Sequence, residues 1–268
     1  MRLVVPIKQV PETTAVRMDE TTGTMVRDGV DAIVNPLDLY AVEAALRLRE
    51  AAPDGTIEVV ALSMGPPRAE VALREVLAMG ADRAVLLTDR AFAGADTWST
   101  ANVLAAAVRR LAPVDLVLCG ERATDGDTGQ VGPGLAAFLG LPVLTYVSRL
   151  ALQPPSQCRV ERLVETGHER LEADLPAVVT VVKELAEPRL PTLRGKQRAR
   201  RAEVAVWTAA DLGIPAEDLG LKGSPTRVER IFRPRLGRTC ERLTIRDSAD
   251  LEAAAERVVA VLNARGLL

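Results

Sequence analysis

Val114-Asp115-Leu116-Val117-Leu118-Cys119-Gly120-Glu121-Arg122-Ala123-Thr124-Asp125-Gly126-Asp127-Thr128-Gly129-Gln130-Val131-Gly132-Pro133 is the stretch that decides how this chain folds. It opens on a continuous apolar run that Gly120 breaks, the pattern of a strand buried on both faces. A polar, glycine-rich loop follows. Val131 to Leu139 then reads as a helix, ended by Gly140. A buried strand, a loop of small polar residues and a helix form one unit of a parallel α/β sheet.

Upstream, the same alternation repeats. Leu3 to Lys8 is a short apolar run closed by Pro11, and Val16 to Val26 reads as a surface hairpin around Asp19-Glu20-Thr21-Thr22-Gly23. Asn35-Pro36 opens a helix to about Ala51, with Asn35 the expected cap and Pro36 at the first helical position. Strands are expected over Thr56 to Ser63 and Arg83 to Thr88, and helices over Ala69 to Met79 and Thr97 to Leu111. Downstream of Pro142 come β-rich runs, Val143 to Leu152, Cys158 to Val164, Glu169 to Asp174 and Ala177 to Val182, with Glu165-Thr166-Gly167-His168 as a turn. These are expected to extend the sheet in mixed or antiparallel fashion. From Glu187 onward prolines punctuate scattered apolar residues that build no separate core, until an amphipathic helix from Asp250 to Leu262, begun by Asp247-Ser248. Such a segment is ordered only by docking, on its own core or on a partner. The chain is therefore read as an α/β domain over residues 1–186 and an extended C-terminal arm over 187–268.

Composition narrows the function. Lys plus Arg is 34 and Asp plus Glu 36, so no global field favours nucleic acid or a membrane surface. Aromatics are 3%, too few for a base-stacking platform. No apolar stretch approaches the roughly 20 residues a membrane helix needs. Cys119, Cys158 and Cys240 are far apart and form no CxxC pair, which fits a reducing, cytoplasmic setting and suggests neither zinc nor a disulfide framework. The single histidine, His168, is expected exposed in its turn. Cys119, closing a buried strand, reads as inert packing. With no nucleophile elbow and no HExxH, no catalytic residue and no metal ligand is assigned. Redox chemistry, if present, belongs to a cofactor.

In open parallel sheets ligands lie beyond the carboxyl ends of the strands, where strand order reverses. The segments just past strand ends are Pro6 to Val10, Asn35 to Asp38, Ser63 to Pro66 and Gly120 to Pro133. In the last, glycines allow close backbone approach and the helix start offers free N–H groups to a phosphate. Asp125 and Asp127 fit this awkwardly, since carboxylates repel phosphate. Nucleotide binding and a ligand-free loop of Asx turns both remain open on this reading. The basic run Arg194-Gly195-Lys196-Gln197-Arg198-Ala199-Arg200-Arg201 is either a solvated helix face or a docking surface for an acidic partner.

VVPIKQVPE at the start, Val34-Asn35-Pro36, AVEAALRLRE, ALSMGPP, EVLAMGADRAVLL, VDLVLCGERATDGDTGQVGP and LPAVVTVVKELAEPRLPTL together resemble the beta subunits of electron-transfer flavoproteins, over nearly the whole chain. The resemblance implies a Rossmann-like fold related to adenine-nucleotide-binding hydrolases, with a C-terminal arm wrapping an alpha subunit. It implies a heterodimer carrying FAD mainly on that alpha subunit and shuttling electrons between flavin dehydrogenases, such as an acyl-CoA dehydrogenase, and an acceptor. A second nucleotide would lie in this subunit. By motif position its contacts are Pro6, Asn35, Pro36, Leu37, Asp38, Met64 and, in the loop, Gly120, Ala123, Thr124, Asp125, Gly126, Asp127, Thr128, Gly129, Gln130 and Val131. Members with a buried AMP carry a DDDxNQT loop; electron-bifurcating and nitrogen-fixation-linked members carry a second FAD and DGDTxQVGP, the form present here. Gly94-Ala95-Asp96-Thr97-Trp98-Ser99-Thr100 is similar to the GxDTxxT segment of that branch and adds Asp96, Thr97 and Thr100. The implied second cofactor is thus FAD, with AMP the alternative, and NADH, a ferredoxin or flavodoxin and a quinone reductase as electron partners.

Leu193 matches the leucine by which simple members plug into a dehydrogenase, flanked by Arg194, Lys196, Arg198, Arg200 and Arg201. Where family members often read GIMKAKKK, this chain lacks the apolar pair and keeps the basicity. The competing class is a stand-alone nucleotide-binding protein of the same fold. The ATP-cleaving relatives of that class carry an SGGxDS-like loop after the first strand, where this chain reads Pro6-Ile7-Lys8-Gln9-Val10.

Overall fold

The computed structural model describes residues 1–12, 17–18, 25–26, 32–53, 55–154, 156–229 and 240–268. Its elements in chain order are β1 (Arg2–Pro6), β2 (Gln9–Pro11), β3 (Arg17–Met18), β4 (Met25–Val26), β5 (Ala32–Val34), α1 (Pro36–Ala51), β6 (Glu58–Met64), α2 (Glu70–Met79), β7 (Arg83–Leu87), α3 (Thr97–Arg110), β8 (Leu116–Gly120) and α4 (Val131–Leu139). They continue with β9 (Val143–Gln153), β10 (Gln157–Val164), β11 (Gly167–Asp174), β12 (Ala177–Val181), α5 (Leu193–Arg201), β13 (Val204–Trp207), α6 (Ala209–Leu212) and α7 (Ser248–Ala264). The expected hairpin survives as the antiparallel pair β3–β4, and its turn, Asp19 to Gly23, lies outside the described residues.

One nine-stranded sheet organises the first compact unit, Met1–Arg230, in the order β11-β10-β9-β12-β8-β1-β6-β7-β13. From β9 to β13 every pairing is parallel; β10 and β11 add an antiparallel hairpin at one edge. Period-two alternation within each buried strand feeds two cores. Leu3, Val5, Val59, Ala61, Leu86 and Leu118 face α1 and α2, where they meet Ala41, Leu46, Leu73 and Val76. Val4, Val60, Leu62, Val85 and Val117 face α3 and α4, meeting Val103, Leu104, Ala107 and Leu135. The strands are apolar throughout because both faces are covered.

Strand order reverses once near the middle. From β1 the chain adds β6 and β7 on one side, then crosses to place β8 on the other. The carboxyl ends of β1 and β8 therefore flank the switch point, and the loops that leave them are Pro6 onward and Gly120 onward.

Residues 187–229 follow the expected start of the arm at 187. They lie within the first unit, and the second compact unit is Ile231–Leu268. α5 packs on α2, and β13 adds the last parallel strand beside β7. Arg110 stacks over the Trp207 ring at 4.9 Å. The elements there span only four to nine residues, too short to leave a period in the sequence, which is why their apolar residues read as scattered. In the second unit, α7 begins as expected, with Asp247 accepting from the Asp250 amide at 2.9 Å. His168 stands exposed at the start of β11, not in the turn itself. No described helix is long and apolar enough to cross a membrane.

Candidate functional site

Three segments distant in sequence meet at the switch point. Asn35, fully buried, is expected to cap α1, but its side chain makes no cap bond there. It turns instead to the loop after β8, donating from Nδ2 to the Arg122 carbonyl at 2.9 Å and accepting the Thr124 amide at 3.1 Å. The Asp38 amide, a usual target of the cap side chain, donates to the Asn35 backbone carbonyl at 2.9 Å instead. The Asn35 amide donates to the Lys8 carbonyl at 2.8 Å, tying the entry of α1 to the exit of β1.

Asp38 lies one helical turn on, 7% exposed, and accepts the Lys8 amide at 2.8 Å. Gly120 packs directly against it. A Cβ at position 120 would clash with Asp38 Oδ1 and come within 2.8 Å of the Leu37 carbonyl. The glycine thus lets the end of β8 and the first turn of α1 touch, a reason for Gly120 rooted in packing as much as in any ligand.

The awkward carboxylates are both neutralised. Lys8 Nζ pairs with Asp125 Oδ1 at 2.6 Å, and Arg122 Nε with Asp127 Oδ1 at 2.9 Å. Asp127 adopts a left-handed φ of 52°, a conformation that Asp tolerates better than most residues. The loop then reaches α4, whose start at Gln130 has no side-chain cap and no acidic residue in the first turn. Uncapped amides with the helix dipole behind them suit an anion. Around Gly126 there is open space, since an added Cβ would meet nothing within 4 Å. Thr128 and Gln130 are exposed. Paired carboxylates, free amides and room at the glycine fit a phosphate-bearing nucleotide. Of the residues expected at a nucleotide, Asn35 to Asp38 and Gly120 to Thr124 are brought together here, with Asn35 and Asp38 buried in the packing between α1 and the loop.

Burial dominates the electrostatics of Asp38. It raises the carboxyl from its ordinary 3.8 to about 7, against the opposing pull of the Lys8 amide, Asn35 and the Lys8 charge. The unfolded chain ionises near 3.8 while the folded chain keeps the proton to about 7, so stability present in acid falls as pH rises through that window. Asp38→Asn is expected to match the parent in thermal melts only below the ordinary carboxylate range and to exceed it by a margin that widens up to about pH 7; a melting difference that does not change with pH would show that the carboxyl does not titrate there. Cys119, fully enclosed beneath, has its thiol pushed far up by burial, with the Asp38 charge adding to it, in keeping with inert packing.

Other expected site residues stand differently. Met64 ends β6, half-buried, beside a Ser63 hydroxyl that is buried with no partner among the described residues. Asp96 caps α3 through the Ser99 amide at 3.0 Å and also accepts from the Thr226 amide and hydroxyl at 3.0 and 2.7 Å. Its carboxylate is therefore spent on its own chain. Thr97 and Thr100, half-buried, open α3, which approaches α4 closely at Ala101 and Gly134. Leu193 and the basic residues lie on α5, a separate region. Lys8 is the site residue that sequence reading passed over. The available signal was a lone cation just after β1 facing a loop with unpaired carboxylates.

A doubly covered parallel sheet with a glycine-rich loop at its switch point defines an α/β protein of the doubly wound class. The electron transfer flavoprotein domain matches residues 22–212. The chain is 45% identical to the electron transfer flavoprotein subunit beta of Thermoanaerobacterium thermosaccharolyticum over the full length of both. It is 48% identical to the caffeyl-CoA reductase-Etf complex subunit CarD of Acetobacterium woodii, covering 87% of this chain and 88% of that one. Against the protein FixA of Azorhizobium caulinodans it is 44% identical over 99% and 95% of the two chains. The chain belongs to the electron transfer flavoprotein family, as a beta subunit and electron carrier.

Proposed function

We propose that this subunit works as a heterodimer with an alpha subunit, holds an FAD at the β1–β8 crevice, and takes part in flavin-based electron bifurcation. The observation that carries the reading is the DGDTGQVGP loop, which Asn35 anchors through Arg122 and Thr124, with Asp125 paired to Lys8, Asp127 paired to Arg122 and the start of α4 uncapped. Likeness to CarD and FixA supports the bifurcating branch over the simple carrier with AMP. A flavin bound there supplies two-electron acceptance from NADH and one-electron donation to two acceptors of different potential.

The chain's own residues bind and orient. Asn35 fixes the loop, the α4 amides receive the phosphates, and Asp38 holds a proton or a negative charge at the edge of the crevice according to pH. No described side chain of the crevice is placed to act as a nucleophile. Leu193 and the basic face of α5 meet the flavin dehydrogenase, and the segment from 231 meets the alpha subunit.

Anaerobic mixing of the purified heterodimer with NADH, a ferredoxin or flavodoxin and a quinone reductase tests the activity. Oxidation of NADH with matched reduction of both acceptors is expected. Reduction of the quinone branch alone would leave a simple electron carrier.

A further inference from the structure

Between Glu187 and Ala202 the chain is fastened at both ends and bare in the middle. On one side, Arg47 donates to the Glu187 carbonyl at 3.2 Å. The Arg189 guanidinium donates to both oxygens of Glu43, at 2.8 and 3.0 Å, and to Glu50, with Nη2 to Oε2 at 2.9 Å. The Arg189 amide adds a bond to Glu43 Oε2 at 3.2 Å. Glu43, Arg47 and Glu50 fall on one stripe of α1, at the i, i+4 and i+7 spacing. Glu43 is 2% exposed, and burial alone would raise its carboxyl; bonds from Arg189 and Arg47 outweigh this and hold it below its ordinary value. On the other side, Arg198 donates to the Leu77 and Ala81 carbonyls at 2.8 and 3.1 Å, and Arg74 to the Ala199 carbonyl at 2.6 Å. Thr192 caps α5 by accepting the Gly195 amide at 3.0 Å.

Leu190 and Leu193, 88% and 81% exposed, are the most exposed large apolar side chains among the described residues, and they stand between these two anchors. Arg194, Lys196, Arg200 and Arg201 are exposed around them. Two leucines kept in water by a buried bidentate ion pair cost the monomer without stabilising it, whereas a preformed contact spares a partner the entropy of ordering it. We propose that the Glu43–Arg189–Glu50 clamp is a positioning device that presents Leu190 and Leu193 as one rigid, two-pronged head, and that its partner is a protein surface with an apolar socket rimmed by carboxylates. The inference rests on the docking reading given above and adds Leu190 and the clamp to it.

The test uses the intact heterodimer, with electron transfer from an acyl-CoA dehydrogenase reduced by its acyl-CoA substrate, alongside tryptic cleavage after Arg194. The double substitution E43Q/E50Q is expected to speed cleavage about tenfold and to raise KM for the dehydrogenase about tenfold, with kcat and flavin content unchanged. R189K keeps the charge but cannot span both carboxylates, and is expected to fall between. L190A and L193A are expected to raise KM without altering cleavage. Should E43Q/E50Q fail to fold, R189Q carries the same expectation. If clamp variants are cleaved at the parental rate, or are loosened with KM unchanged while L193A still weakens docking, the clamp proposal alone fails. If L193A leaves KM untouched, the docking reading fails and takes the clamp with it.

Discussion

Gly120→Ala is expected to strip the second nucleotide from the heterodimer and to lower the stability of the subunit by about 1–3 kcal/mol. The added methyl meets the Asp38 carboxylate and the Leu37 carbonyl, neither of which is the loose end of a flexible side chain. Relief requires the first turn of α1 to back away from β8. That motion breaks the Lys8 amide bond to Asp38 and pulls Asn35 from the loop. Gly126→Ala is the internal comparison. It lies six positions along the same loop with no heavy atom near its added Cβ, so its effect on melting is expected to stay within about 0.5 kcal/mol. If it loses nucleotide while keeping its fold, the ligand backbone approach at Gly126 is the cause. Equal nucleotide content and melting for the Gly120→Ala variant and its parent would show that α1 and β8 do not need to touch.

Asn35→Ala is expected to cost about 2–4 kcal/mol, read by urea unfolding, and to reduce nucleotide content in parallel. The substitution leaves the Arg122 carbonyl and the Thr124 amide without their partner and opens a void where a fully buried side chain stood. Asn35→Asp keeps an acceptor for Thr124 and loses the donor to Arg122, and adds a buried charge close to Asp38. It is expected to be at least as damaging at neutral pH and milder in acid. A surface-like response, below about 0.5 kcal/mol for the alanine variant, would mean that the loop holds its shape unaided.

Much of this architecture can be read from the chain because its central strands are buried on both faces. Runs such as Val114 to Cys119 carry their sheet assignment in their composition, and Gly80, Gly120 and Gly140 mark ends that the structure uses. Helix α4 begins and ends where the sequence places it, at Val131 and Leu139. The region after 187 is different. A four-residue strand such as Val204–Trp207 has no period to detect, and its burial depends on β7, more than a hundred residues earlier. Local patterning does not encode that partner.

The site divides along the same line. A glycine-rich loop between a buried strand and a helix announces itself, whereas the pairing of Lys8 with Asp125 links positions 117 apart and follows only from the strand order. Asn35 shows how a sound local rule loses to tertiary context. An asparagine before Pro36 has every reason to cap, yet two backbone groups of a distant loop compete for it and win. Asp96 is the reverse case, a residue expected at a ligand that the structure shows capping α3 and clasping Thr226.

Release of the cofactors from the purified heterodimer, followed by separate quantification of FAD and AMP, tests the central claim most directly. Two FAD per heterodimer is the predicted result. One FAD with one AMP would keep the crevice and remove its flavin; one FAD and no second nucleotide of any kind would contradict the site itself.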